Sequence, residues 1–282
     1  MQIAQTIQQV RVLVRNARKN GLSIGFVPTM GALHSGHISL IERAKKESDF
    51  VAVSIFVNPA QFGPNEDFEK YPRPIEQDLQ ICRNCGVDLV FCPSSDEIYS
   101  GEQLTWVYVD KLTETLCGRF RPGHFRGVTT VCTKLFNIIT PDFAFFGQKD
   151  AQQAIVIKRM AADLNMPLEI IICPTVREED GLAMSSRNKY LSPQERKDAP
   201  LIYKSLQKVS ELVKTGVYDS SVISAEIKKI LAESQKIAVE YVEIANFENL
   251  EPQESVKGKT LIAVAAKIGL TRLIDNIILD AP

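Results

Sequence analysis

Apolar positions along the chain fall into two regimes. From the N-terminus to about residue 176, short apolar runs alternate with stretches in which apolar residues recur every three or four positions. The runs are 23–28 (SIGFVP), 50–57 (FVAVSIFV), 88–92 (DLVFC), 142–146 (DFAFF) and 168–173 (LEIIIC). They are rich in β-branched and aromatic residues and barely alternate with polar ones, as strands buried on both faces do. Between them, Ile3, Ile7, Val10, Val14 and Ala17 mark one face of a helix that stops at Gly21. Further helices are predicted at Ile38–Ser48, from Pro74 to near Gly86, at 127–139 and at Asp150–Asp163. Strands and helices in alternation, joined by short connections, predict a doubly wound, Rossmann-like parallel sheet of the α/β class.

The second regime begins within residues 176–188. Segments 193–215 and 219–233 have helical spacing with many Lys and Glu, and 238–245, 260–268 and 272–279 read as strands. Two helices followed by three strands predict a smaller α+β domain. The expected division is 1–180 for a nucleotide- and substrate-binding domain and 181–282 for a small lid.

Composition narrows the function classes. Apolar residues at 45% and charged residues at 24% of 282 exclude a disordered or fibrous chain. Lys+Arg 33 against Asp+Glu 34 gives a net charge of −1, which argues against holding nucleic acid through its phosphates. A local basic pocket for one small polyanion is still compatible with that balance. No apolar run approaches the roughly 20 residues of a membrane span, and the N-terminal segment lacks the pattern of a secretion signal. A cytoplasmic protein is therefore expected. Six cysteines form no disulfide framework, and Cys82-x-x-Cys85 has neither a second such pair nor a His pair at ligand spacing.

Two short patterns mislead. Gly21-Leu-Ser-Ile-Gly25 has the spacing of a serine nucleophile turn, but the helix precedes and the strand follows, the reverse of what that turn needs. Gly31-x4-Gly36 has P-loop spacing, yet His37-Ile38 stands where Lys and a hydroxyl residue are required.

The chemistry gathers where a doubly wound sheet places it, on loops after the strands. Two of the three histidines, His34 and His37, sit three apart after the first run and open a helix. Its N-terminus offers unpaired N–H groups to phosphate, the imidazoles add donors, and Gly31 and Gly36 permit close backbone approach. Gly147-Gln148-Lys149-Asp150 holds the same position after DFAFF, with Gln153 about a turn further on. Met184-Ser185-Ser186-Arg187 lies at the boundary, where a loop can close over a site. Gln61 follows 50–57 with donor and acceptor atoms for a small polar substrate. The segment 118–127 brings three arginines and His124 and is expected to line or cover the site.

The pair H-x-G-H and M-S-S-R resembles the signature of the nucleotidyltransferase and class I aminoacyl-tRNA synthetase superfamily. The longer strings VPTMGALHSGHISLI, SIFVNPAQFGPNEDFEKYPRP, FRPGHFRGVTT, FFGQKDAQQ and REEDGLAMSSRNKYLS resemble the pantoate–β-alanine ligases over nearly the whole chain. That resemblance implies ATP-dependent joining of (R)-pantoate to β-alanine through a pantoyl-adenylate, with Mg²⁺ accompanying ATP, in a cytoplasmic homodimer with neither nucleic-acid nor membrane partners. By motif it assigns ATP to Met30, Gly31, Ala32, Leu33, His34, Ser35, Gly36 and His37. It adds Gly147, Gln148, Lys149 and Asp150, the backbone of Val176, and Met184, Ser185, Ser186 and Arg187. His37, His34 and Lys149 become the candidate catalytic residues, and Gln61 and Gln153 the candidate substrate-binding ones; no metal ligand is assigned. The rival readings are a nucleotidyltransferase acting on a phosphate acceptor and a non-catalytic nucleotide-binding module.

Overall fold

The computed structural model describes residues 1–64 and 66–282. Six parallel strands form the first sheet: β1 (Gln2–Ala4), β2 (Ile24–Thr29), β3 (Phe50–Ile55), β4 (Leu89–Phe91), β5 (Phe143–Gly147) and β6 (Glu169–Cys173). Their spatial order is β1-β4-β3-β2-β5-β6. The chain first builds outward from β2 through β3 to β4, then returns to place β5 on the other side of β2. The direction reverses between β2 and β5, so a crevice opens beyond their carboxyl ends.

Helices cover both faces of this sheet, which explains the near-continuous apolar runs. Ile24 and Phe26 of β2, with Ala144 and Phe146 of β5, join a core with α1 (Ile7–Lys19), α6 (His124–Ile139) and α7 (Ala151–Asp163). Val27 and Phe145 point the other way, into a core with α2 (Ser35–Glu47) and α3 (Ile75–Asn84). Two short helices, α4 (Ser95–Ile98) and α5 (Leu116–Phe120), punctuate the long β4–α6 connection.

In the C-terminal part, α8 (Pro193–Asp198), α9 (Leu201–Lys214) and α10 (Ser220–Leu231) precede an antiparallel sheet. Its strands are β7 (Ile237–Asn246), β8 (Gly258–Ile268) and β9 (Thr271–Ala281), in that order. The middle strand is buried on both faces. Leu261, Ala263 and Ala265 belong to the core of the parallel sheet, while Ile262, Val264, Ala266 and Ile268 pack with α9 and α10.

Several boundaries differ from the sequence expectation. Ile3 is not on the first helix but on β1, paired with Val90, because Thr6 and Gln9 form a capping box that starts α1 at Ile7. The helix expected from Ile38 starts at Ser35, and the one expected from residue 127 starts at His124. The stretch 193–215 is two helices, since Pro200 has no N–H to continue α8.

Candidate active site

The turn after β2 is built by opposing constraints. Gly31 (φ 81°) and Ala32 (φ 50°) both occupy the left-handed region, which turns the chain sharply. Asp78, on the otherwise apolar buried face of α3, accepts from the Ala32 N–H at 2.8 Å and the Leu33 N–H at 2.7 Å. It is 1% exposed, and burial pushes its carboxyl above the ordinary range although both N–H groups pull it down. A Cβ on Gly31 would stand 2.8 Å from an Asp78 oxygen, so this approach requires glycine.

The spacing H-x-G-H then has a local physical reason. His34 is the N-cap of α2 and His37 its third residue, and the two form a capping box from imidazoles. The Gly36 N–H donates to His34 Nδ1 at 3.1 Å, and the His34 N–H donates to His37 Nδ1 at 3.3 Å. A nitrogen that accepts carries no proton, so each neutral ring holds its hydrogen on Nε2. Gly36 keeps the cap open, because a Cβ there would lie 2.9 Å from the His34 ring. The ring centroids are 4.2 Å apart. Burial, then Lys149, lowers the His34 pKa to about 4; burial, then the His34 ring, lowers that of His37 to about 3. Both are therefore neutral hydrogen-bond donors at pH 7.

Three other loops complete a cavity of about 240 Å³. After β5, Lys149 faces it, its Nζ 3.8 Å from Asp150 Oδ1. After β6, the Met184 N–H donates to the Val176 carbonyl at 3.0 Å, which folds 176–184 into a narrow loop. Arg187, in the 3₁₀ turn that follows (Ser186–Tyr190), makes a two-pronged pair with Asp67 at 3.0 and 3.2 Å. After β3, Gln61 sits at the end of a 3₁₀ turn (Pro59–Gln61) capped by Asn58. Asn58 donates to Gln61 Oε1 at 3.1 Å and accepts from the Tyr99 hydroxyl at 2.8 Å, while Gln61 Nε2 reaches the Met30 sulfur at 2.9 Å. His124 secures the same turn from α6, its Nδ1–H donating to the Gln61 carbonyl at 2.9 Å and its Nε2 accepting from Arg121 at 3.1 Å. Burial, then Arg121, lowers the His124 pKa to about 4.

The chain matches the family model described as pantoate-beta-alanine ligase over residues 2–278. It is 55% identical over 279 residues to the pantothenate synthetase of Pelotomaculum thermopropionicum, covering 99% of both chains. It is 52% identical to that of Acetivibrio thermocellus, over 99% of this chain and all of the relative. The chain belongs to the pantoate–β-alanine ligase family. The crystal structure of a family member, the pantothenate synthetase of Thermus thermophilus, superposes with a TM-score of 0.94 at 42% identity, over 98% of this chain and 99% of that one. A second, the Francisella tularensis ligase, complexed with βγ-ATP and β-alanine, gives 0.79 at 37% identity, over 99% and 97%. The family resemblance and the doubly wound fold expected from sequence are thus both borne out.

Within this family fold, the residues singled out from sequence separate into two groups. His34, His37, Gln61, Lys149, Gln153 and Arg187 all line the cavity, as do Met30, Gly36, Gly147 and Asp150. Val176, Met184, Ser185 and Ser186 line it as well. Gly31, Ala32, Leu33, Ser35 and Gln148 do not. Leu33 packs into the core beneath α2, and Gln148 turns away toward Asn276. Of the three arginines in 118–127 only Arg121 reaches the wall; Arg119 pairs with Glu243, and Arg126 lies over Trp106.

Asn58, Tyr71 and Thr175 also line the cavity and were missed. Thr175 Oγ1 is buried with no partner among the described residues. Asn58 stood in view beside Gln61, and an Asn before Pro at the end of a strand is a signal that could have found it. Nothing local marks Thr175 or Tyr71.

Proposed function

We propose that this protein condenses (R)-pantoate with β-alanine at the expense of ATP. In the first step a pantoate carboxylate oxygen attacks the α-phosphorus of ATP; the bond to the β-phosphate oxygen breaks and pyrophosphate leaves. In the second, the neutral amine of β-alanine attacks the acyl carbon of pantoyl-adenylate, AMP leaves with the bonding pair, and a proton is released to solvent or phosphate. The observation that carries this reading is the convergence on one cavity of a two-histidine helix cap, Lys149 and Arg187 with the amides Gln61 and Gln153. The first set suits a triphosphate and the second a small hydroxy acid.

The carboxylate is already ionised at pH 7, so the first step needs no general base, only placement and stabilisation of phosphate charge. The Nε2–H groups of His34 and His37 and the Lys149 ammonium serve that purpose; His37 acts as a donor, not as a proton acceptor. Val128, Val131 and Leu135 of α6 supply an apolar wall for the hydrocarbon part of pantoate. Among the described residues no group of three or more His, Cys, Asp or Glu gathers as a metal cage. Where Mg²⁺ accompanies ATP, as the family resemblance implies, Asp150 is the carboxylate in the cavity wall that would be available to it. The chemistry the ion would supply is neutralisation of phosphate charge.

We assign nucleotide and pantoate to residues 1–180 and closure of the site to 181–282, in a cytoplasmic homodimer. Among the described residues no helix is long and apolar enough to cross a membrane. The test is product analysis with ATP, pantoate and β-alanine, each omitted in turn. Pyrophosphate release should require pantoate, and AMP release should require β-alanine as well. A product that keeps the nucleotide whatever amine is present would make the protein a nucleotidyltransferase instead.

A further inference from the structure

Strand β9 buries two adjacent polar residues between the apolar pairs Leu273-Ile274 and Ile277-Ile278. Asp275 is 4% exposed and Asn276 3% exposed. Buried polar groups are tolerated when their bonds are made, so where those bonds go is informative. Asn276 Nδ2 donates to the carbonyls of Gln148 at 2.9 Å and Lys149 at 3.0 Å, and its Oδ1 accepts from Gln148 Nε2 at 3.3 Å. Asp275 accepts both prongs of Arg177, at 2.6 and 3.0 Å, and the Asn276 N–H at 2.8 Å. Arg177 in turn donates to the Gly181 carbonyl at 3.1 Å and stacks 3.5 Å over the Tyr203 ring. The side-chain bonds that leave the pair thus end, directly or through Arg177, on one of two loops that carry cavity residues.

Among the described residues, the first of those loops has no other side-chain anchor at its start. Neither the 3₁₀ turn Gln148–Asp150 nor α7 behind it has a side-chain cap. Two donors on one planar amide, set against two successive carbonyls, fix the orientation of that peptide unit and so the direction in which Lys149 leaves the backbone.

We propose that Asn276 and Asp275 are positioning residues for the nucleotide half of the site, Asn276 aiming Lys149 and Asp275 holding the 177–187 loop through Arg177. This rests on the function proposed above. The C-terminal sheet is on this view part of the scaffold of the phosphate site, although neither residue lines the cavity.

The experiment is pantoate-dependent exchange of labelled pyrophosphate into ATP, with rate and both KM values resolved. Asn276→Ala, which removes the donors, should slow exchange by about ten- to a hundredfold while the pantoate KM stays within about twofold. In a Lys149→Ala background the same change should cost less than about twofold further, because the two act as a unit. Asp275→Asn should raise the ATP KM by about tenfold with the pantoate KM unmoved. Asn276→Asp keeps the volume and carries the same comparison where the alanine variant fails to fold by circular dichroism. Equal losses for ATP and pantoate, full additivity with Lys149→Ala, or unchanged exchange would overturn the proposal. Absence of pantoate-dependent exchange in the unaltered protein would instead overturn the functional reading, and this inference with it.

Discussion

The turn at His34–His37 and the turn at Gln148–Asp150 follow neighbouring strands, face the same cavity and are held in opposite ways. The first is largely self-sufficient: within four residues two imidazoles and two backbone N–H groups satisfy one another. The second has no cap of its own and takes its hydrogen bonds from Asn276, more than a hundred residues later. A self-capped turn leaves a signature in a short stretch of sequence. A turn held from outside leaves its signature in two places, and only the chemically conspicuous one, Lys149, draws attention.

Four perturbations probe this difference. The largest effect is expected at the externally held turn. Lys149→Ala should slow pantoate-dependent pyrophosphate release by about a hundred- to a thousandfold in single-turnover experiments, leaving the pantoate dissociation constant unchanged. An unaltered release rate would remove Lys149 from the chemistry.

Gly36→Ala attacks the self-capped turn. Its new methyl would meet the His34 ring at 2.9 Å, displace it and open the reciprocal cap. Adenylate formation should fall by about ten- to a hundredfold with the circular dichroism spectrum preserved; full activity would mean that the cap geometry is not needed for turnover.

Asp78→Asn tests what lies just upstream. An amide offers one acceptor where the carboxylate offers two, so the Ala32 or Leu33 N–H loses its partner. Stability in urea should drop by about 1–3 kcal/mol and the ATP KM should rise. Equal stability would mean that water replaces the lost acceptor.

The mildest perturbation is acid. The unfolded chain's histidines take up protons near the ordinary value of 6.5, whereas folded His34 waits until about 4 and folded His37 until about 3. Between those values the unfolded state binds more protons. Stability is therefore full above 6.5 and is lost as the pH falls through the window. His124, held to about 4, acts in the same sense. Melting temperatures of the ligand-free protein at about pH 7 and about pH 5 should differ in that direction; identical values would contradict the neutral-imidazole assignment.

Much of the architecture was legible because strands buried on both faces and helices with one apolar face leave different periods in the chain. β1 was not, because its three residues blend into the apolar period of α1 and only the Thr6 cap separates them. The cavity's loops were legible as chemistry after strands. Asp78 was not: one acid on the buried face of α3 reads as a surface residue until the fold brings the turn after β2 against it. Asp275 and Asn276 were passed over because the apolar residues beside them, Leu273, Ile274, Ile277 and Ile278, read as an ordinary strand, and their partners lie across the molecule.

Ala32 carries a further consequence. Its backbone sits at φ 50°, where an L side chain costs on the order of 1 kcal/mol and a glycine would cost nothing sterically. Glycine would relax the folded chain while multiplying the shapes the loose one can take. On the function proposed above, this stiffer bend would hold the mouth of the crevice in one form before a triphosphate arrives, so that less of the binding energy would go into shaping the receptor.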